Sequence, residues 1–211
     1  MIRFIGTARR GVVGAATTFS LLSLLALPLV PSPARAADPA TPDPQEGMME
    51  AMAKYATPGP EHAVLQPMAG KWKAVTKMWM GPGDPQVSEG TTERSWIMGG
   101  RYLVSKHTGS FAGMPFEGME ILGYDRMHAQ YVSTWIDNMG TGMWMSSSGS
   151  WDPAAKELTI VMAFDDPSTG KPTPYRQITK FVDDDTQVFR MVGSMNGQDY
   201  TQMEITYTRM K

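Results

Sequence analysis

The stretch from Ser133 to Met145, STWIDNMGTGMWM, places two tryptophans, an acid, an amide and three methionines within thirteen residues. Three uses fit these residue types: acid–base chemistry at Asp137, soft-metal binding by thioethers, or a turn between two strands. The glycines at Gly140 and Gly142 favour the turn, with YVSTWID ending one strand and MWMSSSG beginning the next. We therefore expect a hairpin at one rim of a sheet, where Asp137 either caps the turn or stands at the mouth of a cavity.

Nucleophilic catalysis has little support in the sequence. The chain has no cysteine and no G-x-S-x-G motif, and no serine stands in a recognisable context with a histidine and an acid. We expect His107 and His128 to be solvated or hydrogen-bonded, and His62 to fix the chain before the first strand. No catalytic residue is assigned. An acid–base enzyme that uses Asp137 and His107 at the mouth of a barrel stays as an alternative.

One carboxylate is expected to face the interior. Glu117 and Glu120 lie on opposite faces of FEGMEILGY, and the apolar residues of that segment place Glu120 inside. An ionised carboxylate is costly to bury alone, so it needs a cationic partner. The candidate partners are Arg94, Arg101 and Arg176. Such a pair would either hold the polar end of a ligand or form a purely structural bridge.

Methionine is abundant, with 19 residues, and thioethers are soft ligands that suit copper(I). Met78 and Met80 share one predicted strand face, and Met143 and Met145 share another. However, the methionines are spread along the chain and stand where leucine is usual, which favours core packing. We expect no metal site and no cofactor, with a methionine-based soft-metal binder kept as an alternative.

The first residues have the pattern of an export signal. A basic start with three arginines is followed by the apolar run FSLLSLLALPLV and by Ala34-Arg35-Ala36, which a signal peptidase accepts. We predict a signal peptide over residues 1–36, a disordered linker over residues 37–47 and a periplasmic or secreted protein. No stable membrane anchor is expected after cleavage, because the apolar run is short for a bilayer span.

Composition limits the partners. Removal of the predicted signal, with its four arginines and no acidic residue, changes the formal net charge from −2 to −6. An acidic surface argues against nucleic acid as a partner. Without cysteine there are no disulfides, so a hydrophobic core must stabilise the fold.

The remaining chain, residues 48–211, reads as a β-barrel domain with a short N-terminal helix over residues 48–57. Methionines at helical spacing predict that the helix packs its apolar face on the next element. From Gly70 onward, segments of about ten residues alternate apolar and polar side chains between turn signals. Ten such strands, with no long apolar helix to cover a sheet, predict an all-β, antiparallel up-and-down barrel that removes both sheet edges.

Alternation also predicts which side chains face inward. Three strands have apolar rows on one face, and these rows are Trp72, Ala74, Thr76, Met78 and Met80; Leu158, Ile160, Met162 and Phe164; and Met203, Ile205 and Tyr207. An interior rich in flexible methionine suits a core that adapts to a bound molecule. The predicted ligand-binding residues are Trp72, Thr76, Met78, Met80, Glu120, Trp135, Asp137, Met143 and Arg176.

Two segments carry a family resemblance. The segment EHAVLQPMAGKW, with its G-x-W at Gly70 and Trp72, resembles the beginning of the first strand in calycin-type barrels, the lipocalin and fatty-acid-binding group. In that group the tryptophan closes the barrel base and an arginine of the last strand packs over it, which implies this role for Arg209. More specifically, GYDRMHAQYVSTWIDNMGTGM and VDDDTQVFRM…MEITYTRMK resemble the DUF1579 family of uncharacterised, often exported bacterial proteins.

The resemblance spans about Met48 to Lys211 and implies a calycin-like barrel, with no established activity. Some calycin relatives bind haem through a histidine on a late strand, whereas the last four predicted strands of this chain have no histidine. We therefore expect an exported barrel that binds a small apolar or amphipathic molecule and is not an enzyme.

Overall fold

The computed structural model describes residues 44–165 and 170–211. Two helices and one 3-10 turn precede ten strands. The elements are α1 Pro44–Ala56, α2 Pro60–Ala63, the 3-10 turn Gln66–Met68, β1 Gly70–Met78, β2 Gln86–Ile97, β3 Tyr102–Phe111, β4 Met114–Asp125, β5 Gln130–Asp137, β6 Trp144–Asp152, β7 Glu157–Asp165, β8 Pro172–Phe181, β9 Thr186–Met195 and β10 Gln198–Arg209.

The ten strands form a closed antiparallel barrel in which each strand pairs with the next in sequence and β1 pairs with β10. Closure gives each of these ten described strands a partner on both sides, so none of them is an edge strand. Short turns make this possible: Asn196 and Gly197 both have positive φ (54° and 76°), as a two-residue hairpin turn between β9 and β10 requires. The predicted all-β, ten-stranded antiparallel barrel with an N-terminal helix is confirmed.

Helix α1 differs from the prediction in its beginning and in its packing. It begins at Pro44, so the last four residues of the predicted 37–47 linker are helical. Its methionine face does not pack on the barrel: Met48, Met49 and Met52 are about 60% exposed. Arg126, in the turn after β4, instead holds the helix end by donating to the carbonyl oxygen of Lys54 at 2.7 Å. The predicted signal peptide and the rest of the predicted linker lie outside the described residues.

Within the described ranges, neither helix is long and apolar enough to cross a bilayer.

One end of the barrel is closed by the segment that contains α2 and the 3-10 turn. Leu65 and Met68 from this segment are buried and belong to one core cluster with Leu103, Leu122 and Leu158, which lie near the strand ends on that side. His62 is also buried there, and its Nδ1 accepts a hydrogen bond from the Gly59 backbone at 3.1 Å. These contacts define a capped base, and the opposite end of the barrel is the mouth.

Trp72 and Arg209 fasten β1 to β10 at the base. Trp72 is fully buried and donates its indole N–H to the Met68 carbonyl oxygen at 2.9 Å. The Arg209 guanidinium lies 4.1 Å from the Trp72 ring centre and donates to the carbonyl oxygens of Pro67 (2.7 Å) and Ala69 (2.8 Å). Opposite each other in the β1–β10 register, the two residues make the stacking contact expected for a barrel base.

Gly70, the first residue of β1, is expected to tolerate no side chain. Its φ is +121°, and a Cβ there would lie 2.7 Å from Arg209 Nη1. Gly70→Ala should therefore lower the free energy of unfolding by about 1–3 kcal/mol, measured by urea denaturation. Gly47→Ala in α1 is the matched control, since its Cβ meets nothing within 4 Å. Equal stability of the two variants would contradict a strained role for Gly70.

Candidate functional site

The barrel encloses a cavity of about 740 Å³. It extends from Met68 at the capped base to Phe111, Asp137 and Phe164 at the mouth. Inward residues of β1, β7 and β10 line it as the alternation predicts, including Thr76, Met78, Leu158, Ile160, Phe164, Met203, Ile205 and Tyr207. The period-two pattern of these strands therefore builds an accessible interior.

Aromatic rings form the upper wall of the cavity. Trp135 stacks on Phe116 with ring centres 6.3 Å apart. Elsewhere in the cavity lining, the Phe164 ring meets the Trp144 ring edge-on, with ring centres 4.7 Å apart, and the centre of the Tyr175 ring lies 5.3 Å from that of Phe164. Such rings offer a large apolar surface at fixed positions. The wall suits a flat or hydrocarbon part of a ligand.

The lower part of the cavity holds a polar niche, which we define as Thr92, Arg94, Ser105, His107, Glu120 and Tyr207. Strand register places these residues side by side. Arg94 of β2 is opposite Ser105 of β3, and Ser105 is opposite Glu120 of β4. One step nearer the mouth, Thr92 is opposite His107. Residues two apart on a strand share a face, so both rows point inward together.

Glu120 is the buried acid of the niche. Its hydrogen-bond partner is Ser105, whose hydroxyl lies 3.5 Å away. Burial raises the pKa of Glu120, while the Arg94 charge acts in the opposite direction. Among the described residues no cation lies within 4.0 Å of its carboxylate, because one whole strand separates Glu120 from Arg94. Glu120 and Arg94 therefore interact through their charges without a direct ion pair.

Arg94 is the buried cation of the niche. Nη1 donates to Gln187 Oε1 at 2.8 Å, and Gln187 in turn donates to the Pro67 carbonyl oxygen at 3.1 Å. The guanidinium lies 4.3 Å from the Tyr207 ring centre and 5.7 Å from that of Trp72. Its Nε has no hydrogen-bond partner. The buried guanidinium is thus fixed in place and keeps one N–H donor that no protein group satisfies.

His107 is held as a neutral imidazole. Its Nδ1 is 2.8 Å from the Thr92 hydroxyl, and its ring lies 5.1 Å from the Trp135 ring centre. Burial, together with the Arg94 charge, lowers the pKa of His107 to about 3. The imidazole is therefore uncharged at neutral pH and contributes hydrogen bonding, not charge, to the niche.

Because His107 stays neutral in the folded chain, the protein is expected to lose stability in acid. Below about pH 6.5 the unfolded chain protonates His107 while the folded chain does not, so the free energy of unfolding falls as the pH drops towards 3. Urea denaturation across this range measures it. His107→Gln should weaken the dependence. An imidazole NMR signal from His107 that titrates near its ordinary pKa would contradict the prediction.

At the mouth, the hairpin of STWIDNMGTGMWM is confirmed and Asp137 caps its turn. Asp137 Oδ2 accepts from the Trp135 indole at 2.7 Å, and Oδ1 accepts from the Met139 backbone at 2.9 Å. Asn138 Oδ1 accepts from the Glu117 backbone at 3.1 Å, and its amide donates to the Pro115 carbonyl oxygen. Asp137 also lines the cavity mouth, so the two roles left open by the sequence coincide.

Five predicted ligand-binding residues line the cavity: Thr76, Met78, Glu120, Trp135 and Asp137. Trp72 is fully buried in the base and not part of the lining. Of the three arginines considered for Glu120, Arg94 lies in the niche, whereas Arg101 donates to the Met98 carbonyl oxygen outside the cavity.

Three predicted ligand-binding residues lie elsewhere and are corrected here. Met80 follows the end of β1, so strand alternation no longer orients it, and it is 70% exposed. Arg176 is on the outer face of β8, between the inward Tyr175 and Gln177, and pairs with Asp199. Met143 belongs to the turn before β6 and is 67% exposed.

The two methionine pairs that could have offered thioether ligands to a soft metal do not point into the cavity together. Met78 lines the cavity while Met80 is in solvent, and Met143 and Met145 are both exposed. Over residues 44–165 and 170–211, no group of three or more His, Cys, Asp or Glu side chains is placed to hold a metal ion.

Sequence reasoning missed Thr92 and Ser105 of the polar niche and did not single out Arg94 among the three candidate arginines. Thr92 and Arg94 lie on one face of TTERSW, and the alternation rule applied to that segment would have placed both inside. Gln187, which fixes Arg94, has no sequence signal, because a single glutamine at the beginning of a strand is usually exposed.

Comparison with known proteins gives a family and a fold. The sequence model of a family described as "Protein of unknown function (DUF1579)" matches residues 57–209. The curated proteins give no match. Among solved structures, the crystal structure of Rv2717c from M. tuberculosis is similar, with a TM-score of 0.55 and 13% identity over 74% of this chain and 100% of that chain. A redesigned β-barrel, b11L5F_LGL, covers 70% of this chain and 96% of its own at 15% identity, with a TM-score of 0.34. At 13% identity, the likeness to Rv2717c shows the barrel fold alone.

Proposed function

This chain belongs to the DUF1579 family, which has no assigned activity, and from its site we propose that it binds a small molecule inside the barrel. The proposed ligand is apolar or amphipathic. The proposed role is binding, not catalysis. Both Asp137 oxygens accept hydrogen bonds that build the rim turn, and His107 Nδ1 is bonded to Thr92. These bonds support structural roles for the two residues of the acid–base alternative.

The cavity volume carries the proposal. Protein interiors pack like organic crystals, with few voids larger than a water molecule. A space of about 740 Å³ in the middle of a barrel is in the range of small-molecule sites. An interior meant only as a core would fill this space with larger side chains. The small residues that line it, including Ala74, Thr76 and Ser88, leave it open.

The distribution of side chains in the cavity supports an amphipathic guest. Flexible Met78, Met191 and Met203 adapt to a ligand shape, and the aromatic wall near the mouth covers apolar surface. The polar niche lies deeper, next to the base. We therefore orient the ligand with its polar end at Glu120 and Arg94 and its apolar part towards the mouth.

Native mass spectrometry tests the proposal on protein purified from its own host under mild conditions. The expected spectrum shows an added mass bound to the folded chain, which organic extraction removes and identifies as an apolar or amphipathic compound. The extracted protein should take the compound up again. A chain that is consistently ligand-free and takes up no lipid-like probe would overturn the proposal.

We also propose that the protein is exported and that its barrel is calycin-like. The basic and apolar start of the chain and Ala34-Arg35-Ala36 support a periplasmic or secreted protein. The stack of Arg209 on Trp72 supports a calycin-type base. N-terminal sequencing of the protein from a periplasmic extract tests the first point, with Ala37 as the expected first residue. An intact N-terminus in the cytoplasmic fraction would overturn it.

A further inference from the structure

We propose that the polar niche selects a ligand whose buried end is uncharged and both donates and accepts a hydrogen bond, such as a hydroxyl or a primary carboxamide. The inference rests on the proposed function and specifies its ligand class. Glu120 and Arg94 together form the selective element.

The niche offers one acceptor and one donor to the same guest. Glu120 has a long 3.5 Å contact from Ser105 as its hydrogen bond, so its carboxylate has acceptor capacity to spare. Arg94 donates through Nη1 to Gln187, and its Nε is without an acceptor. The two side chains come from strands on either side of β3, and both line the cavity. A hydroxyl between them donates to Glu120 and accepts from Arg94.

The charges around the niche disfavour an ionised ligand. Burial raises the pKa of Glu120 and the Arg94 charge opposes this shift; where Glu120 is ionised its charge balances that of Arg94, and His107 is neutral. Tyr207, which packs on Arg94 from β10, is neutral as well because burial raises its pKa. An anionic head group would add a second negative charge beside Glu120, and a cationic one would add a second positive charge beside Arg94. Either leaves a net charge in a buried site, which is costly.

The binding of a carboxylate ligand is therefore coupled to the uptake of one proton from solution. Glu120 takes up that proton, so the niche holds Arg94, a neutral Glu120 and one anion. Because proton uptake becomes harder as the pH rises, the affinity for a carboxylate falls with pH. The affinity for an alcohol or an amide does not involve this proton and stays level.

The test uses four straight-chain amphiphiles of equal length with an alcohol, a primary amide, a carboxylate or an amine at one end. Each is titrated calorimetrically into the full chain near neutral pH and at mildly alkaline pH, in buffers of different ionisation enthalpy that reveal proton uptake. We expect the alcohol and the amide to bind at least about tenfold more tightly than the carboxylate or the amine at alkaline pH. Carboxylate binding should take up about one proton.

Glu120→Gln removes the charge but keeps the shape, and it should raise carboxylate affinity and abolish proton uptake. Glu117→Gln is the matched control, since Glu117 is three residues away on the exposed outer face. Equal or tighter carboxylate binding at alkaline pH without proton uptake, or tighter amine binding, would overturn the inference while leaving the proposed function intact. If none of the four amphiphiles binds, the proposed function fails as well. The wild-type pH comparison stands even where the variant does not fold.

Discussion

Replacing Trp72 with alanine is expected to lower the free energy of unfolding by about 3–5 kcal/mol, which urea denaturation would measure. Trp72 is fully buried at the base, where its ring lies close to both Arg94 and Arg209 and its indole N–H donates to the Met68 carbonyl oxygen. The alanine leaves a cavity, removes this bond and takes the aromatic face away from both guanidinium groups. Few single substitutions in the barrel combine these losses.

Two further tryptophan variants separate the contributions of the Trp72 ring, its hydrogen bond and its buried position. Trp72→Phe keeps an aromatic ring near the two arginines but loses the hydrogen bond to Met68, so its cost should be clearly smaller. Trp79→Ala makes the same change past the end of β1, where the side chain is only half-buried, and should also cost less. A loss as large in Trp79→Ala as in Trp72→Ala would contradict the special role of the base.

Arg94→Met is expected to cost about 3 kcal/mol or more at neutral pH, because without the Arg94 charge the buried Glu120 must take up a proton for the chain to fold. Arg94 is the larger of two influences that lower the pKa of Glu120 against burial, the other being the Ser105 hydrogen bond, so its removal raises that pKa further. Above the unfolded-state pKa the unfolded chain releases this proton while the folded chain keeps it. Because burial already raises the pKa of Glu120 in the wild type, the cost of the substitution should grow with pH only above that raised wild-type pKa.

The double variant Arg94→Met, Glu120→Gln provides the control, since it removes both charges. Its stability should exceed that of Arg94→Met alone, and the extra pH dependence should disappear, as measured by a double-mutant cycle in urea. A cost that does not vary with pH, or a double variant no more stable than the single one, would contradict the coupling of Arg94 and Glu120.

The barrel could be predicted because its strands alternate regularly. In β1 and β7, and in β10 after the irregularity at Thr201–Met203, every second side chain faces the core, so Thr76, Ile160 and Ile205 were placed inside from sequence alone. The rule failed where the strand ended. Met80 and Met143 lie in turns whose backbone no longer alternates, and both project into solvent.

The polar niche was less predictable because it depends on register between strands. Glu120 was placed inside by parity, but three arginines were equally eligible as its partner. Only the pairing of β2, β3 and β4 singles out Arg94, by aligning it with Ser105 and then Glu120. Local periodicity says which way a side chain points and does not say which residue lies beside it.

Helix α1 shows a related limit. Its methionine spacing indicated an apolar face, yet Met48, Met49 and Met52 remain exposed. Periodicity predicts the face of a helix, whereas packing requires a complementary surface, and the base of the barrel is already covered by Leu65 and Met68.

The most direct test of a ligand-binding cavity is a titration with an uncharged naphthylamine fluorophore, comparing the wild-type chain with Thr76→Trp. Thr76 faces the cavity from β1, and a tryptophan there fills part of the space; Lys77→Trp adds the same ring on the outer face and serves as the control. The account predicts one saturable site in the wild type and in Lys77→Trp, with at least about tenfold weaker binding to Thr76→Trp. Equal binding to all three proteins, or no binding to the wild type, would contradict it.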